Sequence, residues 1–161
     1  DDIPVSLIRT AADYICQPLS YIINQCFDEG LFPSQLKFAV VKPLFKKGDR
    51  EDPGNYRPVS LLVAFSKIFE KVAYNQIINF FETNFIFSNN QYGFRSTRST
   101  NNAIGDLIDQ IVRGLDGSQS TAAVFCDLSK AFDCVSHDIL MQGLKFYNFS
   151  RGALHWMDSC L

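Results

Sequence analysis

The chain has 161 residues, 47% apolar and 20% charged, with a net charge of −2. That balance excludes intrinsic disorder, a collagen-like fibre and a coiled coil, and the length suits one domain, or one incomplete large one, whose core needs no metal or disulfide staple. The apolar run over residues 61–65 is far short of the ~20 residues that cross a bilayer, so no membrane span is expected.

Residues 4–29 have helical periodicity, with Val5, Ile8, Ala12 and Ile15 on one face. Pro18 is expected to split this stretch into two helices, and Gly30 to stop the second. Residues 36–45 read as a strand, with Pro43 keeping its far end away from a sheet interior. Residues 46–55, KKGDREDPGN, are nearly all turn formers and charges. Residues 65–81 make the clearest helix, striped by Phe65, Ile68, Phe69, Val72, Ala73, Ile77, Phe80 and Phe81. A polar loop follows over residues 86–98, broken only by Tyr92 and Phe94. Ser99 or Thr100 then caps a helix whose stripe runs from Ala103 to Val112. Residues 116–120 read as a turn, 121–127 as a short apolar strand, and 139–147 as an amphipathic helix. The fold class is α+β and helix-rich.

Charge is unevenly distributed. Residues 1–36 carry −4, residues 37–100 carry +5, and residues 101–161 carry −3. A basic middle suits phosphates and an acidic carboxy-terminal part suits a hard metal ion, although a mixed solvated surface gives the same count. The five cysteines, Cys16, Cys26, Cys126, Cys134 and Cys160, include no C-x-x-C pair. Neither His137 nor His155 completes a zinc pattern with them, which leaves buried, reduced thiols of an intracellular protein.

Three blocks could carry chemistry. In VFCDLSKAFDCVSHDIL an apolar strand runs into Asp127, with Asp133 and Asp138 following. A carboxylate held at a strand end is what Mg²⁺ or Mn²⁺ needs beside substrate phosphates. The plain alternative is a capping Asp. A receiver-type phosphoacceptor would need a pair of acids near the chain start and a Lys on a later strand, whereas the acids at the start here sit in a helical stretch; a haloacid-type phosphatase would need Asp where Ser129 stands, so neither pattern fits. No G-x-x-x-x-G-K-[ST] loop is present. In KPLFKKGDREDPGNYRPVSLL, a hairpin would gather Lys46, Lys47 and Arg57, a point-charge and fork combination suited to a triphosphate, or else a solvated charged loop. In Gln91-Tyr92-Gly93-Phe94-Arg95, Gly93 allows close approach of a nucleic-acid strand. The aromatics could stack on bases, and Arg95 and Arg98 could reach phosphates; otherwise the loop is simply anchored by two aromatics.

Taken in order, FAVVKPLFKKGDREDPGNYRPVSLL, SKIFEKV, QYGFRSTRST and AVFCDLSKAFDCVSHDIL resemble the reverse transcriptases of non-LTR, LINE-type (jockey-like) retrotransposons over residues 31–147. The resemblance implies a right-hand polymerase: a helical extension over 1–30, fingers and the approach to the palm over 31–120, and the first part of the palm over 121–161. It implies that Asp127 and the Leu128 carbonyl hold divalent metal, two ions serving the complete enzyme. Lys46 or Lys47, with Arg57, would clamp the incoming triphosphate. Phe132 would exclude a 2′-hydroxyl, Asp133 would support the site, and Gly93, Arg95 and Arg98 would meet nucleic acid. The implied partners are RNA template, DNA primer and deoxynucleoside triphosphates, in the nucleus and cytoplasm. The family's Y/F-A-D-D palm turn is absent from these residues. The chain therefore reads as a fragment, truncated before the second catalytic palm motif and inactive alone. The alternative is a catalytically dead relic that binds nucleic acid or protein.

Overall fold

Gly30 ends a long helix and lets another helix lie against it. The structure, a computed structural model, describes residues 3–128 and 131–161. These form two compact units, Asp1–Val72 with Phe132–Leu161, and Ala73–Ala131. Helices and one small antiparallel sheet make up the regular structure of the described residues, an α+β composition as expected. None of these helices is long and apolar enough to cross a membrane.

In the first unit, α1 (Val5–Thr10) and α2 (Ala12–Glu29) break at Ala11, and Pro18 lies inside α2. The expected split at Pro18 is therefore displaced. Pro18 removes only the bond to the Tyr14 carbonyl, and Tyr14 is exposed, so water can satisfy that group. Gly30 adopts φ 68°, and the Leu31 N–H reaches the Cys26 carbonyl at 2.9 Å, closing α2 with a Schellman turn. A Cβ on Gly30 would lie 2.9 Å from the His155 Cβ and 3.2 Å from the Gly152 carbonyl oxygen. Those two residues belong to α6 (Arg151–Cys160), which packs on α2 and on α5 (His137–Phe146).

The core of this unit is aromatic. Trp156 sits edge-on to Phe27 at 5.1 Å and to Phe32 at 5.6 Å, and Phe32 meets Phe69 at 6.0 Å. Ile23 and Leu144 are buried with them. Ser159 Oγ accepts the Phe32 N–H at 2.7 Å and donates to the Trp156 carbonyl at 2.9 Å, tying the segment after α2 to α6.

The sheet of this unit is a hairpin of β1 (Ala39–Phe45) and β2 (Tyr56–Leu62), in register from Ala39 opposite Leu62 to Phe45 opposite Tyr56. The Lys46 N–H bonds to the Asn55 carbonyl at 2.8 Å. By antiparallel alternation, Leu44 and Arg57 are then a hydrogen-bonded pair, and Pro43 and Pro58 are not. Each proline thus places its missing N–H on the outer edge of its strand, where no ladder bond is lost.

The second unit holds the end of α3 (Ala64–Thr83), the loop over 84–99 and α4 (Thr100–Asp116). Ser99 caps α4 and Asn102 bonds back to the Ser99 N–H, a reciprocal box that ends the loop. Residues 121–127, expected as a strand, have no regular structure. Val124 is 88% exposed and Phe125 82%. A strand exists only by hydrogen bonding to a neighbour, and among the described residues none pairs with this run.

Candidate functional site

Paired residues of a hairpin share a face, so the register sorts its side chains. Lys42, opposite Val59, and Arg57, opposite Leu44, share one face. Lys46 continues the alternation on that face through its bond to Asn55, whereas Lys47 lies in the turn beyond. Lys42, Lys46 and Arg57 are exposed, and none has a carboxylate within ion-pair distance among the described residues. The sequence alone does not single out Lys42. Only the strand register, which puts it two pleats from Lys46, brings it into the group.

Two of the three acids of the intervening loop are occupied locally. Asp49 Oδ1 accepts the Glu51 N–H at 3.0 Å, and Asp52 Oδ1 accepts the Gly54 N–H at 2.8 Å. Asn55 Nδ2 donates to the Asp49 carbonyl at 2.9 Å, against Gly48 at φ 94°, where a Cβ would come within 2.7 Å of that same nitrogen. Arg50 turns back over the Phe45 ring at 5.1 Å, and its carbonyl accepts the Tyr56 hydroxyl at 2.8 Å. The loop is therefore tied down by its own polar groups. On the other hairpin face, Val41, Pro43, Tyr56 and Pro58 line an open cavity of about 520 Å³ with Arg50, Glu51 and Pro53.

The 86–98 loop has a different construction. Arg95 donates from Nε and Nη2 to the two oxygens of Glu82 and from Nη1 to the Ser88 carbonyl, with its guanidinium 5.0 Å from the Phe87 ring centre. Its side chain is 10% exposed. The Tyr92 hydroxyl bonds to Asp106 of α4, which raises the phenol pKa above its ordinary value. Arg98 lies 5.6 Å from the Tyr92 ring centre. Gly93 is exposed, with open space where a Cβ would stand. The left-handed residue of this turn is Phe94, at φ 62°, rather than the glycine.

Asp127 and Leu128 lie exposed in the irregular run 121–128, and Phe132 and Asp133 in a turn over 131–134. Phe132 is 79% exposed, which removes it from the core. No group of three or more His, Cys, Asp or Glu residues could hold a metal ion among the described residues. A carboxylate and a backbone carbonyl are nonetheless oxygen donors of the kind Mg²⁺ takes, one or two at a time, beside substrate phosphates.

The cysteines depart from expectation. Cys16, Cys126 and Cys134 are exposed, and only Cys26 and Cys160 are partly covered. The first lies on the solvent side of α2, and the other two lie in segments without regular structure. Burial and the nearby Glu70 push the Cys160 thiol up to about 12, against a smaller opposing effect of Lys37. Burial and then Glu29 raise Cys26.

The family profile described as reverse transcriptase (RNA-dependent DNA polymerase) matches residues 45–161. The chain belongs to the reverse transcriptase family. This reverse transcriptase segment is 34% identical over 128 residues to the probable RNA-directed DNA polymerase from transposon BS of Drosophila melanogaster, covering 79% of the chain and 14% of that protein. It is 34% identical over 141 residues to the probable RNA-directed DNA polymerase from transposon X-element of the same fly, covering 87% and 15%. To the RNA-directed DNA polymerase from mobile element jockey it is 29% identical over 139 residues, covering 86% and 15%. The segment thus spans about one seventh of the length of these relatives. No solved structure matches it.

Proposed function

We propose that the chain is the fingers and first part of the palm of an RNA-directed DNA polymerase, with residues 31–120 as fingers and 121–161 entering the palm. Residues 1–30 form a helical extension. The observation that carries this reading, beside family membership, is the hairpin face that gathers Lys42, Lys46 and Arg57 without a neighbouring carboxylate. Such a face suits a triphosphate: the Arg57 fork bonds two oxygens at once, and the lysines add point charges. Lys46 rather than Lys47 is the clamp's lysine, because it shares the face of Arg57.

The reaction joins the primer 3′-oxygen to the α-phosphorus of a deoxynucleoside triphosphate and releases pyrophosphate. Catalysis of this kind is mostly positioning and charge stabilisation. Arg57 and Lys46 hold the triphosphate and offset its charge. Phe132 fills the space a 2′-hydroxyl needs, a role open to a ring that lies outside the core. A divalent ion held by Asp127 and the Leu128 carbonyl, Mg²⁺ or Mn²⁺, supplies positive charge for the transferring phosphate when bound. Asp133 supports that segment. Arg98 meets template phosphate near Gly93, while Arg95, its donors committed to Glu82 and Ser88, holds the loop in shape. RNA template and DNA primer are the partners, in the nucleus and cytoplasm.

The test is Arg57→Ala in a full-length polymerase carrying this segment. Nucleotide KM should rise by similar factors for all four bases, since a phosphate clamp does not read bases. A loss confined to RNA affinity would move Arg57 to the template groove and remove the clamp.

A further inference from the structure

A cavity of about 470 Å³ opens between α5 and α6, both in the first unit. Each helix turns one face towards it. Asp138, Met141 and Lys145 of α5 line it at i, i+3 and i+7, and Arg151, Leu154 and Asp158 of α6 line it at the same spacing. Residues 147–150 join the two helices, so Lys145 and Arg151 flank that connection and make one end of the groove cationic. Asp138 and Asp158 stand towards the far ends of their helices and make the other end anionic. Met141 and Leu154, half-buried, lie between the two ends beside Gln142 and His155. Opposite charges on one helix are seven residues, roughly 10 Å, apart, too far to meet. Among the described residues none of the four charged side chains has an ion pair or a hydrogen-bond partner.

Helix stability accounts for only half of this pattern. A helix dipole favours acids in the first turn and bases in the last. Helix α5 follows the rule, with Asp138 in its first turn and Lys145 in its last. Helix α6 reverses it: Arg151 is its first residue and Asp158 lies in its last turn. Were α6 charged as its dipole prefers, each end of the groove would hold one acid and one base, and the pair would neutralise each other within the chain. The reversal instead gathers two bases at one end and two acids at the other, which repel unless opposite charge is seated on them. A matching surface must carry its two signs in the reverse order along roughly 10 Å, with apolar area between them. The same groove of a second copy, turned by a two-fold axis, does so, because each cationic end then meets an anionic one.

We propose that the α5–α6 groove is a self-association surface, on which a second copy of this chain seats the same groove about a two-fold axis. Lys145 and Arg151 of one copy meet Asp138 and Asp158 of the other, and Met141 and Leu154 meet across the axis. The inference is independent of the polymerase reading. The test is sedimentation equilibrium of the 161-residue chain over a concentration series. Wild type should show a monomer–dimer equilibrium that weakens with added salt. Arg151→Glu and Asp158→Lys each place at the helix end the charge that its dipole favours, so both should melt no lower than wild type. Each alone should nonetheless dimerise at least ~10-fold more weakly, since like charges then face each other across the axis. An equimolar mixture of the two should recover the wild-type affinity, because each supplies the sign the other lacks. The mixture decides even where a variant melts lower, since one misfolded copy does not rescue another. A wild-type chain that stays monomeric across the series would overturn the proposal. So would association that neither variant weakens, which belongs to another surface, or a mixture that associates no more tightly than either variant alone.

Discussion

Arg95 grips Glu82 with two parallel hydrogen bonds, Nε to Oε1 at 2.9 Å and Nη2 to Oε2 at 2.7 Å. The pair joins the end of α3 to the middle of the following loop. With the guanidinium 10% exposed, it shapes the 86–98 segment before any ligand arrives.

Removing the acid should therefore loosen the loop. Glu82→Ala is expected to destabilise the Ala73–Ala131 unit by roughly 1.5–3 kcal/mol, the scale of a lost charge-assisted pair with one partner left part-buried. Arg95→Lys should rescue little, because an ammonium cannot span both carboxylate oxygens. Urea unfolding followed by amide exchange of residues 86–98 measures this. Unchanged exchange in Glu82→Ala would show that the pair does not hold the loop.

Gly30 allows a similarly sharp expectation. Alanine there meets both a positive φ and the His155 Cβ at 2.9 Å. Gly30→Ala should cost roughly 1–3 kcal/mol, from left-handed strain plus overpacking against α6. Thermal unfolding reads it, and Gly105→Ala, where a Cβ meets nothing within 4 Å, is the control expected to be neutral or slightly stabilising.

How far residues predict structure varies along this chain. The helices were legible because apolar residues recur along one face and Gly30 and Ser99 mark a stop and a start. The hairpin was legible from its turn formers. The run AAVFC before Asp127 has strand composition, yet strand formation depends on a neighbour and not on composition, and no described residue supplies one. Arg95 looked like a ligand contact because its partner is thirteen positions away and only folding brings Glu82 to it. Lys42 is not legible as part of the group in the sequence alone, because face-sharing depends on register. The left-handed backbone at Phe94 is not legible in the sequence, because the glycine beside it is the residue that takes that conformation without cost.

Thiol reactivity tests the burial pattern. With its pKa pushed up to about 12, Cys160 should be almost wholly protonated at pH 8, and Cys26, also raised, should react slowly. Iodoacetamide should label Cys16, Cys126 and Cys134 first. Because the folded-state pKa of Cys160 lies above its unfolded value of 9.0, its contribution to stability is present below pH 9 and is lost as pH rises towards 12. Peptide mapping after a timed pulse checks the order. Early labelling of Cys160 would mean that α6 is not docked as described.

Phe132 separates two roles. Phe132→Val in a full-length polymerase carrying this segment should admit ribonucleotides while retaining much of the deoxynucleotide activity. A core Phe would instead lose roughly 3–5 kcal/mol of stability on truncation to Ala, somewhat less to Val, and both substrates would suffer together. With the ring 79% exposed, little stability should be lost. The ratio of kcat/KM for deoxy- over ribonucleotides, with a melt alongside, decides it. An unchanged ratio would remove the gate.

The proposed polymerase function places Asp127 in the catalytic centre. Primer extension on an RNA template tests it most directly, comparing full-length protein with and without Asp127→Asn at saturating template. Extension should slow by at least ~100-fold, the scale of losing a major electrostatic element of a transition state, while RNA affinity stays nearly unchanged. Near-normal extension by Asp127→Asn would reduce Asp127 to a structural residue and contradict the account.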